Sequence, residues 1–354
     1  MFAQVHTPDQ LLPSHLDAYL ERGWFRMGQT IFTTNFLHVK EELFSTIWLR
    51  ILLSEYKPDT KQEKLFKRNA SFQVEIASPL VDEEREKLYT AYKQSVPFRA
   101  SDSLRQLLYS GKADDHSIYN TLEITVRHDG RLIACGYFDI GEMSAQGIVS
   151  FYDPEYRKYS LGKYLIYLKI QYCKDLNLRY FYPGYFVPGN PYFDYKLDIG
   201  RPVLEFLELR SRSWLPISAF SEENIPMQVM YNKLVEVHSM LLTAGIDSHV
   251  LKYEFFDVNL MPELRDNGLF DFPVFLFIGN NTGETTDPCL IYDVRDDKYH
   301  LLEYIPVWKP MEINPNQDFY SDYFLKATQE ILATSSENEM ADIIKFLKIG
   351  KIRK

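Results

Sequence analysis

Residues Ser150–Pro202 read SFYDPEYRKYSLGKYLIYLKIQYCKDLNLRYFYPGYFVPGNPYFDYKLDIGRP, and the rest of the chain is organised around them. Phe151-Tyr152-Asp153-Pro154 ends a strand, because proline donates no ladder hydrogen bond and restricts the residue before it. Ser160 has the side chain of a helix N-cap. Leu161, Leu165, Leu168 and Tyr172 follow at helical spacing and form one apolar stripe. Tyr180–Tyr182 is a short strand. Pro183, Gly184, Pro188, Gly189 and Pro191 then predict irregular backbone. Gly162 lies in the first helical turn, where unpaired N–H groups and the helix dipole favour a phosphate or an oxyanion. The plainer reading is an ordinary capped helix. Beyond the strand, Tyr185, Asn190, Tyr192, Phe193, Asp194, Tyr195 and Lys196 mix aromatic and polar groups. Such a loop is either a lid on the core or a ligand site.

Upstream, Asn120–Arg127 alternates as a strand, and His128-Asp129-Gly130 carries a hairpin turn signal. Arg131–Ile140 returns, and Gln146–Tyr152 follows a second turn. Three antiparallel strands, a loop, a helix and another strand are the order of the GNAT acyltransferase core, a fold suited to transferring an activated acyl group to an amine. Before this core, residues 14–26 predict a short helix stopped by Gly23, and Thr46–Leu52 a strand. Phe72–Ala77 is a strand, and Asp82–Ser95 and Ser103–Ser110 are helices. Lys57, Lys61, Lys64, Lys67 and Arg68 recur three or four apart and share one helical face. That row is a solvated surface or a contact for a phosphate backbone.

After Trp214 the composition changes. Residues 1–215 hold 27 acidic and 27 basic side chains, whereas residues 216–354 hold 22 and 12, so the whole formal charge of −10 belongs to the second part. This part predicts a helix from Pro226, with Met230, Leu234, Val237 and Leu241 on one face and Gly245 ending it. Strands follow at Val250–Phe256, Phe272–Ile278, Cys289–Val294 and His300–Val307, then helices at Asp318–Leu332 and Glu339–Leu347. The expected organisation is α+β throughout: a small N-terminal domain (residues 1–71), a GNAT-like catalytic domain (72–215) and an extra acidic α+β unit (216–354). An acidic unit is a poor second surface for nucleic acid and a possible docking site for a protein partner.

The apolar and charged fractions, 45% and 25%, are those of a soluble globular protein. No run is long enough to span a membrane, and the first residues lack a signal-peptide pattern, so a cytoplasmic location is expected. Cys135, Cys173 and Cys289 are isolated in apolar surroundings and have no ligand spacing, which predicts free thiols and no metal or other cofactor. There is no phosphate-binding glycine-lysine loop, dinucleotide fingerprint or nucleophile elbow. Without an obvious nucleophile, direct attack by a substrate amine is the simpler chemistry.

These residues resemble a family. Asp153-Pro154, Ser160-Leu161-Gly162, Tyr182-Pro183-Gly184-Tyr185, Tyr195-Lys196 and Arg201-Pro202 are similar to the C-terminal signature of the aminoacyl-tRNA–protein transferases, the arginyl- and leucyl-transferases of the N-degron pathway. Arg22-Gly23 with Gly28, Tyr56-Lys57-Pro58 with Gln62, and Arg68-Asn69 resemble the N-terminal part. The likeness spans roughly residues 14–215. Phe36, Val39 and Glu42 stand where the family has a cysteine cluster, so no metal or iron–sulfur site carries over. The resemblance implies transfer of an aminoacyl group from tRNA to the N-terminal α-amine of a protein. It implies a catalytic group of Asp139, Tyr185, Ser160 and Gly162, and substrate contacts from Tyr182, Asn190, Tyr195, Lys196 and Arg201. Lys57, Lys61, Gln62, Lys64, Lys67 and Arg68 would meet the tRNA. Asp139 would accept a proton from the incoming ammonium or hold it; its plain reading is a turn aspartate. Two other functions fit the same residues: a GNAT enzyme using acyl-CoA, for which Tyr159–Tyr164 poorly matches the pyrophosphate loop, and a non-catalytic module that binds protein N-termini.

Overall fold

The computed structural model describes residues 1–40, 42–97, 100–111, 117–279, 288–308, 318–320 and 323–352. In the N-terminal part, β1 (Ala3–His6), β2 (Phe25–Met27) and β3 (Thr30–Thr34) form a small sheet around α1 (Pro13–Glu21), and β4 (Phe36–Val39) pairs with β5 (Glu42–Ser45). The strand β6 (Ile47–Leu52) then enters the main sheet, and α2 (Thr60–Arg68) carries the lysine row. The core continues as β7 (Gln73–Ala77), α3 (Glu83–Ser95), α4 (Leu104–Tyr109), β8 (Thr121–His128), β9 (Arg131–Ile140), β10 (Ser144–Tyr152), α5 (Leu161–Asp175), β11 (Tyr180–Phe186), β12 (Leu204–Glu208) and β13 (Ser213–Pro216).

The main sheet has the order β13-β12-β6-β11-β10-β9-β8-β7. Its β8–β9–β10 meander is antiparallel and turns at Asp129 and Gly130, both with positive φ, as a tight hairpin requires. The β10–α5–β11 crossover then makes β10 and β11 parallel neighbours. Helix α5 packs its apolar stripe on this sheet, with Leu161, Leu165, Ile170 and Cys173 buried. This is the α+β, GNAT-like core that the strand order predicts. The division expected at residue 71 does not separate sheets: β6, from before it, lies between β11 and β12.

The second part has its own core. Helix α6 (Pro226–Thr243) buries Met230, Leu234, Val237 and Leu241 completely. They face a sheet of order β18-β14-β15-β16-β17-β19, made of β14 (Ser248–Tyr253), β15 (Val274–Ile278), β16 (Cys289–Asp293), β17 (Lys298–Trp308), β18 (Phe319–Tyr320) and β19 (Phe324–Thr334). The closing helix α7 (Glu337–Ile352) is longer than the expected Glu339–Leu347. The helix expected over Asp318–Leu332 is instead mainly strand. Its apolar residues mimic helical spacing, but β17 supplies a full-length antiparallel partner from Tyr299↔Thr334 to Trp308↔Phe324, and three register shifts absorb the uneven pattern. Phe2 and Phe36 insert into this second core and tie the chain's beginning to it.

Candidate active site

Strands β10 and β11 are paired only from Ser144↔Tyr180 to Gln146↔Tyr182. Beyond that the ladder between these parallel neighbours stops. Both strands are irregular at that point: β10 shifts register between Gly147 and Val149 against β9, and β11 shifts between Phe181 and Gly184 against β6. Pro183 lies in the second irregularity, where a missing N–H breaks no ladder. The strand therefore runs through Pro183-Gly184 to Phe186, although proline and glycine predict loop.

A break in a ladder leaves carbonyl groups to be satisfied. Lys169 of α5 serves the neighbouring register shift between β9 and β10. Its Nζ donates to the carbonyls of Tyr137 (2.9 Å) and Val149 (2.8 Å) and to Ser150 Oγ (3.1 Å), and the residue is 1% exposed. Burial pulls this ammonium down to about 7. Gly136 makes the approach possible, since a Cβ there would lie 3.0 Å from Lys169 Cε and Nζ. Sequence reasoning missed Lys169. Its position in an otherwise apolar helix stripe was the available signal.

The segment from β10 to α5 forms the rim. Asp153 Oδ1 accepts the Glu155 N–H (3.0 Å), and Asp153 pairs with Arg131. Asn69 Nδ2 donates to the Tyr159 carbonyl (3.1 Å), so the Arg68-Asn69 pair anchors this loop from α2. Ser160 precedes α5 in a left-handed conformation (φ 52, ψ 45) and makes no side-chain cap, contrary to the N-cap expectation. A pocket of about 330 Å³ opens here, lined by Asp59, by Lys61, Leu65 and Arg68 of α2, by Ser160, by Lys163 and Tyr167 of α5, and by Asp198 and Arg201, so four cationic side chains face two carboxylates. The structure thus gathers four predicted residues (Lys61, Arg68, Ser160, Arg201) and adds Lys163, whose Nζ lies 3.6 Å from Asp198. Gly162 is in the same first turn, against Tyr152. Lys64 and Lys67 are exposed on α2, and Lys57 is exposed before the helix begins. Gln62 does not belong to this surface. It is 3% exposed and accepts a hydrogen bond from Tyr56 Oη, so it fixes α2 instead of meeting a ligand.

The aromatic loop makes a second wall. Tyr185 stacks on Phe193 (centroids 5.6 Å apart, 27°) and meets the edge of Trp48. Lys196 Nζ donates to the Tyr185 carbonyl (2.7 Å) and lies 5.4 Å from the centroids of both the Tyr185 and Phe193 rings. Burial pulls its ammonium down to about 7 as well. Gly184, with φ +88, leaves room for that ammonium, which a Cβ would meet at 3.2 Å. Tyr195 is 39% exposed. Asn190 closes a local turn by accepting the Tyr192 N–H (3.2 Å). Tyr182 is 1% exposed and packs between Phe25 and Trp214, so the substrate contact expected of it gives way to a core role.

Asp139 stands apart from both walls. It is the penultimate residue of β9, beside the turn that leads to β10, and is paired with Thr121 on one side and Gln146 on the other. It is fully buried. Oδ1 accepts from Arg26 Nη1 (2.9 Å) and Thr121 Oγ1 (2.7 Å), and Oδ2 accepts from Gln146 Nε2 (2.8 Å). Burial pushes its pKa up against these three donors. A carboxylate so enclosed has no access to a substrate amine, and the chemical role expected of it is replaced by a buried ion pair joining β2 to the sheet.

Cys135, Cys173 and Cys289 are buried, each with its thiol pushed up to about 12 by desolvation. Among the described residues no helix is long and apolar enough to cross a membrane.

Residues 84–203 match the family model described as arginine-tRNA-protein transferase, C terminus. An aspartate/glutamate leucyltransferase of Leptospira interrogans is 31% identical over 192 residues, covering 53% of this chain and 73% of the relative. The enzymes of the same name from Campylobacter jejuni and Rhodopseudomonas palustris are each 28% identical, covering 51% and 58% of this chain and 74% and 81% of theirs. Among solved structures, the ribosomal-protein-S18-alanine N-acetyltransferase of Escherichia coli matches at a TM-score of 0.23 and 16% identity, covering 29% of this chain and 61% of its own. L-PGS from Bacillus licheniformis matches at 0.30 and 15%, covering 40% and 48%. With a relative 31% identical and covered over 73% of its length, the chain belongs to the aminoacyl-tRNA–protein transferase family.

Proposed function

We propose that the protein transfers leucine from the 3′ ester of a charged tRNA to the N-terminal α-amine of a cytoplasmic protein that begins with an acidic residue. The amine nitrogen attacks the ester carbonyl, the C–N bond forms, the C–O bond breaks, and the tRNA 3′-hydroxyl leaves with a proton. The reaction needs positioning, a deprotonated amine and a place for the oxyanion. The observation that carries this reading is the cationic pocket where α5 begins, at the end of β10 beyond its ladder with β11. Lys61, Arg68, Lys163 and Arg201 suit the terminal phosphates, and the first turn of α5 suits an oxyanion. Tyr195 offers an exposed ring for stacking on the terminal adenine. Lys196 suits the acceptor's carboxylate, and with its ammonium near 7 it also suits transient proton transfer beside Tyr185. The acidic unit from residue 216 suits a protein partner rather than the tRNA.

Leucyl-tRNA binding across a salt series tests the footprint, with photo-crosslinks mapped on the same complexes. The variant Lys61→Glu/Lys163→Glu is expected to bind more weakly, with a salt slope flatter by about 0.9 per lost phosphate contact on the duplex scale. Crosslinks are expected in residues 57–68 and 160–201. An unchanged slope, or crosslinks concentrated beyond residue 216, would contradict it.

A further inference from the structure

The pocket at α5, with about 330 Å³, has the volume of a small-molecule site. It has room for the end of a nucleic acid, and the rest of such a ligand must run over the surface. On the side of the aromatic loop the exposed acids Asp194 and Asp198 oppose a phosphate chain. On the other side the surface is cationic. Lys61, Lys64 and Arg68 are exposed at helical spacing along one face of α2, and Glu63, two residues from Lys61, falls on the far side of the helix. Arg157 and Lys158, both exposed, continue this row in the turn between β10 and α5. Asn69 Nδ2, bonded to the Tyr159 carbonyl (3.1 Å), holds that turn against the end of α2, and Lys158 Nζ lies 5.1 Å from the centroid of the Tyr159 ring. The acids of the turn do not neutralise the row, because Asp153 and Glu155 both pair with Arg131. Among the described residues, Lys61, Lys64, Arg68, Arg157 and Lys158 form no ion pair. Neighbouring cations without carboxylates repel one another and attract a polyanion, even in a chain of formal charge −10.

We propose that Arg157 and Lys158 hold the phosphate backbone of the duplex stem of the charged tRNA, where it leaves the pocket across the C-terminal end of α2. The proposal rests on the transferase reading and extends its footprint to a turn that sequence reasoning passed over. A duplex fits better than a single strand. Single strands are held by rings on which bases stack. Here the half-buried rings of Tyr156 and Tyr159 are already engaged, with Phe72 (centroids 6.2 and 5.1 Å away) and with each other (5.8 Å). The turn therefore offers charge on a fixed backbone, which suits phosphates whose bases are already paired. Such contacts position the RNA without reading its sequence.

The test compares the binding of two RNAs to the full chain across a salt series: leucyl-tRNA, and the leucylated trinucleotide C-C-A, which has no stem. The parent is expected to prefer the tRNA. Arg157→Glu/Lys158→Glu is expected to shrink that preference by about tenfold or more and to flatten the salt slope for the tRNA by about 0.9 per lost contact. Its thermal melt is expected to match the parent's, since both side chains are exposed. Lys61→Glu/Lys163→Glu, in the pocket, is expected to weaken both RNAs. A parent that binds neither RNA would overturn this proposal together with the transferase reading. A parent that binds without preference, or a variant that keeps both the preference and the slope, would overturn this proposal alone. So would a variant that loses the trinucleotide equally, which would place the two residues in the pocket. Self-association of the parent that the variant abolishes, with tRNA binding unchanged, would also overturn it and assign the row to the acidic unit of a second copy.

Discussion

Asp139 has three donors aimed at its two oxygens and no exposed surface, and one of those donors is the buried guanidinium of Arg26. Removing one partner of such a pair leaves the other charge uncompensated. Asp139→Asn is therefore expected to cost about 3 kcal/mol or more of folding stability, read as a lower urea midpoint, while the fraction that remains folded still transfers. A variant that melts like the parent yet has lost transfer would restore a chemical role. Individual residues were legible in the sequence where local chemistry decides them, and not where the third dimension does. Asp153, Gly162 and Lys61 keep the places their motifs imply. Gln62, Tyr182 and Asp139 carry the right family pattern but face inward, because their burial depends on Tyr56, Trp214 and Arg26, far away in sequence or on another element.

At the scale of elements, Lys169 ties α5 to the β9–β10 pair at its register shift, through the carbonyls of Tyr137 and Val149. Its folded-state pKa of about 7 lies below the ordinary 10.5, so between these values the unfolded chain holds more protons than the folded one. Stability then rises with pH across this window, is constant below it and stops rising above it. The denaturant midpoint of the parent is expected to climb between pH 7 and 10 relative to Lys169→Met, which has no such group. A difference that stays flat over this range would mean that the ammonium remains charged among its three oxygen acceptors. The elements themselves were mostly readable: the apolar period of α5 and α6 and the Asp-Gly turn of the meander need only local rules. The course of β19 was not, since a segment with helical spacing becomes a strand only when β17 lies alongside it.

For the whole molecule, the order of strands and helix in residues 120–186 predicts the core that the main sheet shows, and a second apolar cluster combines residues after 216 with Phe2 and Phe36. The sequence did not reveal how the N-terminal segment is shared: β6 completes the main sheet, and Phe2 and Phe36 enter the second core. The central claim is that this assembly joins a tRNA-borne aminoacyl group to a protein N-terminus at the pocket beside α5. The most direct measurement is mass spectrometry of a peptide beginning with Asp, incubated under single-turnover conditions with the full chain and leucyl-tRNA, beside the variant Lys163→Glu/Arg201→Glu. A mass gain of one leucine residue at the peptide's N-terminus is predicted, slowed in the variant at limiting tRNA and recovering as leucyl-tRNA is raised. An unmodified peptide, or one modified only when an acyl-CoA replaces the charged tRNA, would contradict the account.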